Sequence, residues 1–146
     1  MDYFKSINDR YGHAAGDSVL RQFSELLVAT VRAGDFVFRY GGEEFLIIVA
    51  SVDSATVQVV AEKIRAVINR HRFQLLEEAG HVITASLGVA VHDGHPDYGR
   101  VVDQADHALL KAKRTGRNRW VMFDGSEEEE SRFVSDRRVA TGADCA

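Results

Sequence analysis

The chain has 146 residues, 45% hydrophobic and 27% charged, with a net charge of −4 and a single cysteine, Cys145. That balance fits one globular domain with a real core, and the negative charge argues against broad nucleic-acid binding. The longest apolar run, Phe45 to Ala50, is too short to span a bilayer, no secretory pattern is visible at the start, and one cysteine closes no internal disulfide, so a reducing, cytoplasmic setting is expected.

The opening, Met1 to Asp17, carries turn chemistry at Asn8-Asp9 and Gly12. Gly16-Asp17-Ser18 offers N-cap residues for a first helix reaching Arg32, with Val19, Leu20, Phe23, Leu26, Leu27 and Val31 on one face. Gly34 ends it. Phe36-Val37-Phe38 and Phe45 to Val49 are β-prone runs separated by Gly41-Gly42, which predicts a tight hairpin, since glycine reaches positive φ without a Cβ clash. Glu43 and Glu44 come directly after the glycines. Neighbours in a strand face opposite sides, so one carboxylate can meet a ligand while the other turns away. The bare glycines let a nucleotide or a partner backbone approach closely.

Asp53 and Ser54 cap a second helix whose inward face is Val57, Val60, Ala61, Ile64, Val67 and Ile68. Phe73 to Leu76 and His81 to Val91 read as strands joined by a loop around Gly80. A third helix follows the loop Asp93-Gly94-His95-Pro96, with Val101, Val102, Ala105, Ala108, Leu109 and Ala112 inward and Gly116 as its C-terminal glycine. Asn118 to Phe123 reads as a closing strand. From Gly125 to Ala146 the composition shifts to an acidic and polar tail, expected to be disordered. The alternation of helices and strands predicts an α/β architecture, a central sheet with helices packed on it, over residues 1–124.

Four stretches taken together resemble the GGDEF family of diguanylate cyclases. The opening is similar to D-x-F-K-x-I-N-D-x-x-G-H-x-x-G-D, and Arg39 to Phe45 matches R-Y-G-G-E-E-F. Ser86 to Val89 resembles an S-x-G-V strand. Ala105 to Asn118 resembles A-D-x-A-L-Y-x-A-K-x-x-G-R-N, with Leu110 where tyrosine is usual. The resemblance implies a mainly antiparallel, palm-like sheet of the nucleotidyl-cyclase kind, and an enzyme that joins two GTP into cyclic di-GMP with release of pyrophosphate. It implies a homodimer as the active unit, two Mg²⁺ per site and an upstream sensor domain in the full-length protein.

By the same resemblance, Asn8 and Asp17 read guanine, whose N1–H and 2-amino donors suit a carboxylate and an amide. Read from the residues alone, Asn8 is turn chemistry and Asp17 a helix cap. Glu43 is the metal-ligating acid, joined by the Met1 backbone carbonyl, and Glu44 lies beside the attacking hydroxyl as base or orienter. Gly41 and Gly42 line the substrate. Lys113 and Arg117 meet the β- and γ-phosphates, with the backbone amides of Tyr3 and Phe4 as fixed donors; by themselves, cations near a helix C-terminus also suit the helix dipole. Arg32 and Asp35 match the family's R-x-x-D product-binding site, with Lys63 where a second arginine is common. His13 belongs to the G-H pattern and reads as structural; the other histidines show no zinc spacing.

The family carries an apolar strand ending in a metal-ligating aspartate just before the position of Met1. The expectation is therefore a domain lacking its first strand, poorly stable and nearly inactive as it stands, with Asp2 aligned to a later, non-ligating acid. The rival reading is a catalytically inactive GGDEF domain that senses GTP or cyclic di-GMP. A third, another nucleotidyl cyclase, is disfavoured by Asn8 and Asp17.

Overall fold

The computed structural model describes residues 1–75 and 78–125; the expected tail lies, from residue 126 onward, outside them. Two helices open the chain, α1 (Phe4–Tyr11) and α2 (His13–Thr30), broken by Gly12 at φ 83°. Asn8 and Asp9 are thus helical rather than a turn, because Phe4 and Ile7 recur on one face and bury it against α2. Local turn preference yields to that burial. Likewise α2 starts five residues before the expected Ser18, so Asp17 lies inside the helix and is not its cap. Gly12, at φ 83°, stands at the N-cap position instead, and α2 begins directly after it at His13. Val19, Leu20, Phe23 and Leu27 are buried as the periodicity requires.

Strands β1 (Phe36–Gly41) and β2 (Glu44–Ile48) form the antiparallel hairpin. Val37, Phe45 and Ile47 pack on the α2 core, while Phe36, Phe38, Tyr40 and Ile48 are exposed. Helix α3 (Ser54–Arg70) begins at Asp53, whose side chain accepts from the Thr56 N–H at 2.7 Å, the expected cap. Its Ala61, Ile64 and Ile68 are buried.

β3 (Phe73–Leu75) and β4 (Glu78–His81) pair antiparallel. Gly80 sits inside β4 at φ 87° rather than in a loop. The single strand expected from His81 to Val91 is broken: residues 82–86 are irregular, and only β5 (Leu87–Val89) follows. β5 pairs in parallel with β6 (Trp120–Met122), the short core of the expected closing strand. Between them runs α4 (Tyr98–Arg114), capped by the Asp97 side chain at the Gly99 N–H, 2.9 Å, with Ala108 and Ala112 buried.

The strands form three two-stranded ladders among the described residues, not one continuous hydrogen-bonded sheet. Two of the three are antiparallel. The hairpin and the 84–89 stretch are tied to one another through the first two residues: the Met1 N–H bonds the Glu43 carbonyl at 2.9 Å, and the Asp2 N–H bonds the Thr84 carbonyl at 2.9 Å. No described helix is long and apolar enough to cross a membrane.

Helices cover both faces of β5. Leu87 packs with Ile64 and Ile68 in the main core, so Gly88, one residue on, faces the other way, against α4. A Cβ built on Gly88 would lie 1.9 Å from the Ala105 carbonyl oxygen and 2.4 Å from the Leu109 nitrogen. Both are helix backbone, which has no rotamer to yield. Gly88→Ala is therefore expected to cost about 1–3 kcal/mol or more of stability by driving α4 off the sheet. Urea denaturation of the two chains checks it, and an unchanged midpoint would mean that α4 can shift freely.

Candidate functional site

The N-terminus of α1 is the focus. Tyr3 precedes it in the left-handed region at φ 57° and provides no side-chain cap, and no acid lies in the first turn. The amides there are donors in a positive helix-end field, a ready place for an anion. Two cations stand beside it. The Arg117 guanidinium lies 4.7 Å from the centre of the Tyr3 ring and donates to its hydroxyl at 3.3 Å. Lys113 donates to Glu44 Oε1 at 3.2 Å, joining the end of α4 to the start of β2.

Arg117 is set by the close of α4. Gly116 takes φ 123°, and the Arg117 N–H reaches back to the Ala112 carbonyl at 3.0 Å, the six-to-one bond of a Schellman ending. Gly116 thus fills its expected role. The helix dipole is satisfied by that ending, and the cations are turned to side-chain partners.

The hairpin tip differs from the expectation. Gly41 is strand and pairs with Glu44, so the two-residue loop is Gly42-Glu43, with φ 49° at Gly42. Glu43 therefore belongs to the turn and has no sheet face to choose; the alternation argument applies to Glu44 alone. A Cβ on Gly41 or Gly42 would meet nothing within 4 Å, so the tip is open. The half-buried Glu43 has no ion-pair partner among the described residues, whereas Glu44 is held by Lys113. The Met1 ammonium reports how closely these charges gather. Burial lowers its pKa, and Asp2 and Glu43 oppose that shift.

Asp2 has a structural role that its position in the motif does not reveal. It is 5% exposed, the one buried charged residue among those described. Its carboxylate accepts from Thr84 Oγ1 at 2.7 Å, Ser86 Oγ at 2.7 Å and the Asn118 N–H at 3.1 Å. Both oxygens are engaged, so it is no ready metal ligand. Ser86 belongs to the S-x-G-V stretch, but nothing in that pattern ties its hydroxyl to Asp2.

Asn8 and Asp17 come from the α1–α2 crossing. Asn8 is half-buried and Asp17 exposed, and neither side chain has a hydrogen-bond partner among the described residues. Their helical placement removes both structural explanations weighed for them, turn and cap.

Arg32, Asp35 and Lys63 gather at the far end of α2. The Arg32 guanidinium bonds the Ala50 carbonyl and lies 3.5 Å from Asp35 Oδ1, and Lys63 donates to the Thr30 carbonyl at 2.8 Å. Asp35 accepts from the N–H groups of Ala50 at 3.1 Å and Arg32 at 3.2 Å. This knot ties the helix end to the end of β2. The Arg32 side chain remains 58% exposed.

No group of three or more histidine, cysteine or acidic side chains that could hold a metal occurs among the described residues. The donor set is one free carboxylate, Glu43, beside the Met1 main chain. That fits the Mg²⁺ habit of one or two carboxylates completed by phosphate oxygens and water. It does not supply a second ion with a protein carboxylate of its own.

A family model described as diguanylate cyclase, GGDEF domain, matches residues 1–119. The chain is 40% identical over 126 residues to diguanylate cyclase DosC of Escherichia coli, covering 86% of this chain and 27% of that protein. It is 36% identical over 121 residues to diguanylate cyclase A of Treponema denticola, covering 82% and 32%. It thus spans about a third or less of the curated relatives it matches. Among solved structures, diguanylate cyclase SiaD of Pseudomonas aeruginosa, in complex with its activator SiaC, superposes with a TM-score of 0.79 at 36% identity, over 83% of this chain and 46% of that one. The GGDEF domain of DgcB of Caulobacter crescentus, in complex with c-di-GMP, gives 0.78 at 33%, over 84% and 73%.

The Asp35 knot generates a pH dependence. Withdrawal from water raises the Asp35 pKa, but the Ala50 and Arg32 N–H donors and the Arg32 charge outweigh it and hold the carboxyl below its ordinary value. A depressed pKa stabilises the fold above the unfolded value and loses that contribution as pH falls through the folded one. The stability gap between the chain and Asp35→Asn is thus expected to be constant near neutrality and to close in acid. Urea midpoints at several pH values measure it; a gap that widens in acid reverses the sign.

Proposed function

Because the chain belongs to the GGDEF domain family, we propose that it is a diguanylate cyclase catalytic domain, condensing two GTP into cyclic di-GMP and two pyrophosphate. The observation that carries this is the meeting of Lys113, Arg117 and the uncapped N-terminus of α1 beside a glycine turn bearing Glu43 and Glu44. A triphosphate needs cations and fixed N–H donors, and this is where the chain concentrates both.

In the proposed reaction, the 3′-oxygen of one GTP forms a bond to the α-phosphorus of the other. The bond from that phosphorus to the α–β bridging oxygen breaks, and pyrophosphate takes the electron pair. Lys113 and Arg117, with the Tyr3 and Phe4 amides, hold the β- and γ-phosphates and offset the charge on the leaving group. Glu44 accepts the hydrogen bond of the attacking 3′-hydroxyl, orients it and takes its proton as the new bond forms, its own position set by Lys113. Asn8 and Asp17 read the base. Glu43, with the Met1 carbonyl, would hold a divalent cation, which when bound neutralises phosphate charge. The second of two Mg²⁺ would rest mainly on phosphate oxygens and water. Two protomers, each holding one GTP, face each other, since one site presents one nucleotide. Arg32, Asp35 and Lys63 form the product-binding site, where an exposed guanidinium can stack on a base and grip its edge. In the longer protein, a sensor domain governs the meeting of the protomers in the cytoplasm.

The second reading, an inactive sensor of GTP or cyclic di-GMP, draws on the engaged Asp2 carboxylate, which leaves Glu43 as the free acid for metal. One pair of measurements separates the readings. Glu43→Gln in the full-length protein is expected to cut pyrophosphate release by roughly a hundredfold or more while cyclic di-GMP binding is retained. Turnover close to that of the parent would remove Glu43 from the metal site, and a parent with no turnover but intact nucleotide binding would favour the sensor.

Arg32→Ala is expected to leave the initial rate within about twofold and to relieve product inhibition, since it removes one guanidinium far from the phosphates. Progress curves test this. A variant that stalls at the same product level reduces Arg32 and Asp35 to a structural knot.

A further inference from the structure

Gly16 has no conformational reason to be glycine. It lies inside α2 with no positive φ, where alanine is the better helix former, unlike Gly12, Gly34 and Gly42, which take positive φ with open space around them. Its reason is steric. A Cβ built on Gly16 would lie 1.9 Å from Asn8 Oδ1, 3.0 Å from Asn8 Cγ and 3.1 Å from Phe4 Cζ. The space beside Gly16 is occupied by the end of the Asn8 side chain. That carboxamide has no hydrogen-bond partner among the described residues. It sits against a backbone position where any larger residue would overlap it.

We propose that Gly16, the chain neighbour of Asp17, is a specificity-positioning residue: by lacking a Cβ it seats the Asn8 carboxamide at the α1–α2 crossing and so sets the geometry with which Asn8 and Asp17 read a guanine base. This rests on the assignment of Asn8 to the base. The colliding atom in Gly16→Ala is the end of a flexible side chain rather than backbone. The substitution therefore turns the carboxamide aside more readily than it separates the helices. Phe4 Cζ, at 3.1 Å, needs to give by only a few tenths of an ångström.

The test is a double-mutant cycle on the full chain with Gly16→Ala, Asn8→Ala and both together, read by equilibrium titration with GTP and with ATP and by thermal melts. Each single variant is expected to weaken GTP on the order of tenfold and to leave ATP within about twofold, because the triphosphate contacts are untouched. The double variant is expected to bind GTP no worse than Asn8→Ala alone, since both changes act through one carboxamide. In the melts, Gly16→Ala is expected to unfold earlier than the parent, and the double variant to recover, the collision having gone and alanine being favoured in the helix. A Gly16→Ala chain that does not fold while the double variant does reports the same collision.

A Gly16→Ala chain with the parent's base preference overturns the proposal, as do GTP effects that multiply in the double variant or a double variant that melts no higher than Gly16→Ala. If Asn8→Ala alone leaves the GTP preference unchanged, the assignment of Asn8 falls and this inference with it. If Asn8→Ala weakens GTP and Gly16→Ala does not, the assignment stands and this inference alone fails.

Discussion

A buried carboxylate held by hydrogen bonds from distant parts of the chain ties this domain together. Asp2 gives its two oxygens to two hydroxyls and one backbone N–H, and its own N–H bonds the Thr84 carbonyl. Taking a carboxylate out of water is costly, and the cost is offset only when donors replace the lost hydration. Hydrogen bonds to a charged group are worth about 1.5–3 kcal/mol each, so three of them offset much of the desolvation. The donors come from two separate places in the chain, the irregular 84–86 segment and the turn after α4, and Asp2 itself lies just before α1. None of these has regular secondary structure to fix it. The carboxylate replaces the ladder that regular strands would have provided.

The site inherits its geometry from that clamp. Asn118, which donates to Asp2, follows Arg117, and Tyr3, whose ring carries the Arg117 guanidinium, follows Asp2. The arginine is thus fixed from both sides through backbone only one residue long in each direction. Lys113 is fixed differently, by the α4 helix and by Glu44. Of the two acids at the hairpin tip, one is neutralised by this pair and the other is left free. Two chemically identical carboxylates in adjacent positions thus stand in different electrostatic surroundings.

How far the sequence reveals this depends on range. Helix faces and caps are local: the α2 and α3 cores, Asp53 as cap and Gly116 as terminator follow from spacing and residue type. The hairpin is legible too, although the loop falls one residue later than Gly41-Gly42 suggests, because register is settled by pairing and not by glycine content. The opening is misread where it has competing signals. Asn8, Asp9 and Asp17 favour turns and caps in isolation, and the burial of Phe4 and Ile7 overrides them. The Asp2 clamp is beyond reach, since its partners lie 82 to 116 residues away. Motif resemblance finds Ser86 and Asn118 without saying that one side chain binds both.

Strain marks the same place. Four non-glycine residues among those described have positive φ, and three of them lie at the Asp2–Asn118 pair: Asn118 itself, and Tyr3 and Arg117 as the immediate chain neighbours of Asp2 and Asn118. The left-handed region costs an L-residue roughly 1–2 kcal/mol, less for asparagine, and persists only where neighbours over-determine it. Here each is over-determined by a named contact: Asn118 by its N–H on Asp2, Arg117 by its N–H on Ala112, and Tyr3 by the guanidinium stacked on its ring. Relaxing any one of the three would return free energy to the backbone and lose the alignment of Arg117 with the N-terminus of α1. A chain selected for stability alone has no reason to place three such residues together. The triphosphate binding proposed above supplies one, because groups already held in place lose little freedom when a ligand arrives.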